Sequence, residues 1–252
     1  MVVTSNEVSM IQIMLTVLLF FAAVLYSSVG HAGASGYLAV MSLFGIAPEV
    51  MKPTALVLNI AVASLATYKF YRAGFFQWRL FWPFAVCSVP LAYLGGSFDL
   101  SAIYYKPLLG TVLLLAAGRL LLGKQDYSVD GARIVPIPMA LGLGGMIGFL
   151  SGLTGVGGGI FLSPLLLFSG WASIRQASGV TAAFILVNSI AGLLGNIASV
   201  SRVPIDAVWW LLAAVGGGWI GAELGARRLK IPYIKSLLGV VLVIAGLKMI
   251  VT

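Results

Sequence analysis

Apolar runs recur from one end of this chain to the other, and at two places, about half a chain apart, glycine-rich strings break them. The strings are Gly30-His31-Ala32-Gly33-Ala34-Ser35-Gly36-Tyr37-Leu38 and Thr154-Gly155-Val156-Gly157-Gly158-Gly159-Ile160-Phe161-Leu162. A glycine break at membrane depth leaves backbone N–H and C=O groups without helical partners, and hydrocarbon supplies none. Protein, water or a polar solute must sit against each break. The recurrence reads as two copies of one membrane unit, residues 1–122 and 134–252, joined by a polar linker at 123–133.

With 60% of its 252 residues hydrophobic, 9% charged and a mean hydropathy of +1.07, the chain lies outside the soluble range. The expected fold is all-α, a polytopic helical membrane protein. Eight segments are long enough to cross a ~30 Å hydrocarbon core: about 10–29, 54–71, 79–97, 104–122, 134–152, 178–199, 206–223 and 232–251. Two shorter ones, about 37–47 and 160–170, follow the glycine strings. Ten or so helical residues reach roughly 15–17 Å, half a core, so these read as half-helices or re-entrant arms.

The net charge of +8 comes from bases at the ends of apolar stretches, where the positive-inside rule accounts for them. The lipid bilayer is therefore the expected partner, and nucleic acid is not. Cys87 is the sole cysteine, so no intrachain disulfide is possible. The first ten residues carry Glu7 and no base, which argues against a cleaved signal peptide. The apolar segments hold no Ser/His/Asp set, paired carboxylates or metal-ligand cluster, so an enzyme, a metal site or a cofactor is not expected. The glycines are followed by no Lys-Ser/Thr and preceded by no strand, which excludes nucleotide-binding loops.

Charge also predicts orientation. Lys69, Arg72 and Arg79 put the loop near 70–79 in the cytoplasm, as do Arg119, Lys124 and Arg133 for the linker and Arg227, Arg228, Lys230 and Lys235 for the loop near 224–235. Arg175 fits the same side. Asp99 with Lys106, Arg202 with Asp206, and Glu49 with Lys52 leave the other connections neutral, hence outside. The loop between the second and third long segments is then inside in one copy and outside in the other, so the copies are inverted. Interrupted segments at matching positions of inverted repeats point to a transport site between the halves.

The residues expected to hold substrate are Gly33, Ser35 and Gly36 in the first string and Gly157, Gly158 and Gly159 in the second. Their glycines permit close approach, and the half-helix after each offers free N–H donors and partial positive charge, which suits an anion. The alternative use of such glycines is tight helix packing. Thr54 and Asn59 after the first half-helix, and Thr181 and Asn188 after the second, are uncharged polar groups that either line the path or join helices. His31 is the only histidine and is a candidate for a proton or ligand role. Lys52 and Arg175 are placed to attract anions at the two mouths. The spacings Gly144-Gly148-Gly152 and Gly217-Gly221-Gly225 read as helix contacts, within the chain or in a homo-oligomer.

These strings, with Gly95-Gly96-Ser97-Phe98 through Leu108-Leu109-Gly110 and Gly221-Ala222-Glu223-Leu224-Gly225-Ala226-Arg227-Arg228-Leu229 through Leu237-Leu238-Gly239, resemble the sulfite exporter TauE/SafE family of membrane permeases over nearly the whole chain. The resemblance implies passage of small sulfur-containing or carboxylate anions, such as sulfite, sulfonates or sulfoacetate, usually as export across the bacterial inner membrane. An alternating-access carrier and a passive anion channel both satisfy this reading. Saturable exchange flux would mark the carrier, and unitary current the channel.

Overall fold

The computed structural model describes residues 5–122, 135–226 and 232–251. The linker 123–133, and Arg227, Arg228 and Lys230 of the second basic loop, lie outside the described residues. Within the described part the chain is helical, with no strand. In order the helices are α1 (Ser5–Ser27), α2 (Ala34–Leu43), α3 (Pro48–Arg72), α4 (Trp78–Ser97), α5 (Ala102–Leu122), α6 (Ile137–Thr154), α7 (Gly159–Phe168), α8 (Ile174–Gly195), α9 (Ala207–Ala226) and α10 (Pro232–Val251). A 3-10 segment, Ile197–Arg202, lies between α8 and α9. Among the described residues α1, α3, α4, α6, α8 and α9 are long and apolar enough to cross a membrane. The architecture is that of a polytopic helical membrane protein.

Local chemistry sets the boundaries where hydropathy misplaces them. The segment expected at 54–71 begins at Pro48, because proline fits the first helical turn, where its missing N–H costs nothing. The segment expected at 178–199 begins at Ile174, after a capping box. There the Gln176 N–H donates to Ser173 Oγ (3.4 Å) and the Ser173 N–H donates to Gln176 Oε1 (3.0 Å). It ends at Gly195, and the chain turns at Asn196 into the 3-10 segment. The short helices are ten residues each, bounded by left-handed glycines: Gly33 and Gly45 around α2, Gly158 and Gly170 around α7.

The two halves are interleaved. Helix α1 packs on α9 and α6 on α4; α3 packs on α9 and α8 on α4; α3 meets α8, and α5 meets α10. Exchanging each helix for its counterpart in the other half reproduces these pairings. Glycine ladders make the closest of them. A side chain at Gly144, Gly148 or Gly152 would collide with the carbonyls of Phe84, Ser88 and Ala92, and one at Gly217, Gly221 or Gly225 with those of Phe20, Val24 and Ser28. Both small-residue faces are thus occupied inside the chain, and a homo-oligomer would have to use other surfaces.

The same contacts fix helix directions. Helices α1 and α9 run parallel, as do α4 and α6. Helices α3 and α8 run antiparallel, since Asn59 meets Ser189 while Ala66 and Phe70 pack with Ala182. Helices α5 and α10 are also antiparallel: Gly110 lies against Met249 and Ile250, and Leu114 against Gly246.

At the end of the molecule carrying Lys69, Arg72, Arg79 and Arg175, Lys69 pairs with Glu223 and stands 4.0 Å from the centre of the Trp219 ring, tying α3 to α9. At the opposite end Gln12 Nε2 donates to Asp206 Oδ2 (3.1 Å), and Arg202 pairs with Asp99 (3.2 Å). Lys248 on α10 donates to the carbonyls of Ser42 (2.9 Å) and Leu43 (3.0 Å), capping the C-terminus of α2.

Candidate functional site

Each glycine string forms an elbow between a long helix and a half-helix. In the second, Gly155, Gly157 and Gly158 hold φ near +80°, a region that disfavours any side chain. The Gly155 N–H closes α6 onto Ser151 O (2.8 Å), and the N–H groups of Phe161 and Leu162 both reach Gly158 O (3.1 Å). Gly158 is the N-cap of α7 and has no side chain to cap with. That leaves the Gly159 and Ile160 amides of the first turn without an intrahelical acceptor, in buried surroundings. The first elbow repeats the design: Gly30 and Gly33 have positive φ, and Gly33 is an uncapped N-cap for α2. Gly30 with Gly155, Gly33 with Gly158 and Gly45 with Gly170 share one separation. It is one residue longer than the offset between the starts of the two strings, so His31 corresponds to Val156 and not to Gly155, the second residue of the other string.

The second elbow gathers polar side chains from both halves. A Cβ at Gly157 would stand 2.8 Å from Asn59 Nδ2 and 3.2 Å from Ser189 Oγ; one at Gly158 would meet Ile147, Phe184 and Ser151, and one at Gly159 would meet Ile185 and Thr181. Asn59, Ser151, Thr181 and Ser189 are all 0% exposed. Asn59 Nδ2 donates to Ser189 Oγ at 3.3 Å, which leaves Oδ1 unmet; the hydroxyls of Ser151 and Thr181 are also buried without a partner. The Thr54 hydroxyl is buried and unmet too, on α3 away from Gly157 to Gly159. An unmet buried group costs about 1–3 kcal/mol, so a cluster of them beside uncapped amides is where water or a polar solute would be held.

The first elbow is built against tyrosines, and the buried hydroxyls of Tyr26 and Ser27 are unmet there. Gly33 lies against the Tyr37 ring and Gly36 against Tyr26; the Tyr37 hydroxyl donates to Ala32 O (2.6 Å). Ser35 is buried on α2. His31 has Nδ1 3.1 Å from Val29 O, and Ser178 Oγ on α8 donates to the same carbonyl (3.0 Å). Asn188 is at neither elbow: Ser88 Oγ donates to its Oδ1 (2.5 Å), and its Nδ2 donates to Phe184 O (2.8 Å), which joins α4 to α8. The structure therefore brings Asn59, Thr181 and Gly157 to Gly159 together, adds Ser151 and Ser189, and sets Gly33, Ser35, Gly36 and His31 at a second location in the same core.

Both elbows are buried. A small cleft, open to solvent at the Asp99–Arg202 end, is separated from the second elbow by Lys52 and Tyr105. Lys52, Tyr105, Asn196 and Ser199 line it. The Tyr105 hydroxyl donates to Thr154 O (2.9 Å), and the backbone carbonyl of Lys52 lies 3.2 Å from where a Gly155 Cβ would stand.

A family model described as sulfite exporter TauE/SafE matches residues 15–249. The chain belongs to that family. It is 41% identical over 94% of its length to a probable membrane transporter, y4hK, of Sinorhizobium fredii, 97% of which is covered. A second probable membrane transporter, YjnA of Bacillus subtilis, is 26% identical over 91% of this chain and 96% of its own. No solved structure matches the TauE/SafE chain. Its helices and these relatives make it a multi-pass membrane transporter.

Proposed function

We propose that the chain is a secondary transporter exporting small anions, sulfite and organosulfonates such as sulfoacetate, across the bacterial inner membrane by alternating access. The observation that carries this reading is the second elbow, where an uncapped half-helix N-terminus faces Asn59 from the other half and the unmet hydroxyls of Ser151 and Thr181. Amide and hydroxyl donors at a helix N-terminus suit an oxyanion, and neutral donors bind weakly enough to release it. The family's printed description supports the sulfur oxyanion class. Burial of both elbows supports a carrier that closes around its cargo over an open channel. An inside-negative potential drives anion exit by about 2.3 kcal/mol per charge per 100 mV, so export needs no coupling ion.

Residues 1–122 and 134–252 act in this scheme as inverted repeats. Antiparallel counterparts, α3 with α8 and α5 with α10, support that relation. Gly158→Val tests the site: φ of 79° and contacts at 3.0 Å to Ile147 and Phe184 leave no room for the side chain. Sulfite flux in proteoliposomes is expected to fall at least ~10-fold, equivalent to about 1.4 kcal/mol, with the gel-filtration profile kept. Wild-type flux would overturn the reading.

A further inference from the structure

The cleft beside the second elbow contains a lysine where a membrane protein would ordinarily avoid one. Lys52 lies one turn into the spanning helix α3 and is 9% exposed. Its ammonium donates to two backbone carbonyls at the end of α4, Gly96 O (3.1 Å) and Phe98 O (3.0 Å). Those partners are neutral, so the charge is retained. The other charges on the cleft differ in kind. Asp99 is paired with Arg202, and Glu49 is exposed to solvent, where its field is weakened by water and salt. A buried cation acts through a lower dielectric and dominates the interior of the cleft. Capping α4 does not by itself account for it, because water entering the cleft could serve those carbonyls. An ionisable residue buried near the end of a spanning helix is a candidate functional group, and the partner that suits this one is an anion.

Lys52 also forms the wall between cleft and elbow. Its Cγ and backbone carbonyl lie 3.3 and 3.2 Å from the position of a Gly155 Cβ, so Gly155 and the Lys52 stem are in contact. Tyr105, its neighbour on the cleft, holds Thr154 O. For a solute to move between the second elbow and the open end here, the Lys52 side chain has to swing aside.

We propose that the cleft, which has room for about one water while Lys52 binds the α4 carbonyls, opens into a second anion site, an antechamber, when the Lys52 ammonium leaves those carbonyls to pair with a small oxyanion passing to or from the elbow. This rests on the elbow being the primary site. Asn196, Ser199 and Tyr105 supply further hydrogen-bonding groups on the walls.

The test is exchange of radiolabelled sulfite in proteoliposomes, on a Cys87→Ala background. Lys52→Gln is expected to raise KM for sulfite on the cleft side at least tenfold with an unchanged Tm, and Lys52→Arg to stay within threefold. Lys52→Cys should behave like Lys52→Gln. Its flux should recover to within threefold after treatment with aminoethyl methanethiosulfonate, which restores a cation, and stay low after methyl methanethiosulfonate. A KM for Lys52→Gln within twofold of background, or equal recovery with the uncharged reagent, overturns the antechamber. The primary site fails separately, through normal flux in Gly158→Val.

Discussion

Asn59 belongs to the first half by sequence and to the second elbow by position, since its amide touches Ser189 and the space above Gly157. A hydrogen bond to a charged partner is worth about 1.5–3 kcal/mol. Asn59→Ala is therefore expected to weaken sulfite binding by roughly 10- to 100-fold, as read by titration calorimetry. Asn59→Asp, of equal size but bearing negative charge in a buried site, should abolish binding. The glycines, Asn59 and Thr181 were legible in the sequence because glycine strings and amides are uncommon in apolar helices. Ser151 and Ser189 were not. Hydroxyls on such helices commonly turn back onto the preceding carbonyl, as Ser64 does to Ile60 O (2.6 Å) and Thr111 to Pro107 O (2.8 Å), so their type says nothing of their direction. Asn188 and Ser189 show the same limit. They are adjacent on α8, yet one faces α4 and the other α3, a matter of helical phase that only packing decides.

Among the elements, the half-helices were visible in outline because glycine interrupts hydropathy at both ends of each. Their registers were not, since two glycine strings of unequal composition can be laid against each other with a one-residue error that only backbone conformation corrects. Helix α8 shows why its start was missed. Its first turn carries Arg175 and Gln176, which lower hydropathy while the Ser173 and Gln176 pair supplies the helix start. Ser173→Ala removes half of that reciprocal cap. The expected loss is about 1 kcal/mol, visible as a lower Tm in detergent, with little effect on sulfite affinity because Ser173 lies outside the elbow.

Across the whole molecule, the loop between α3 and α4 and the one leading into α9 lie at opposite ends, because α9 runs parallel to α3, with Val62 against Gly218 and Lys69 against Glu223. On a Cys87→Ala background, a cysteine replacing exposed Ala73 should react with a membrane-impermeant maleimide only in lysed cells, whereas one replacing Ile205, 84% exposed, should react in intact cells. Labelling of both from one side would remove the inverted arrangement. Charge placement alone carries the inverted expectation in the sequence, and the interleaving of the halves does not show there, since it depends on glycine faces whose partners lie far along the chain. Lys248 extends that interdependence to assembly. The carbonyls that end α2 wait on an ammonium that arrives some two hundred positions later in chain order, so a ribosome still making the second half leaves the far end of α2 without its final brace. Maturation of both halves is thereby a single late event, and halves expressed separately should reach the folded state only when they meet.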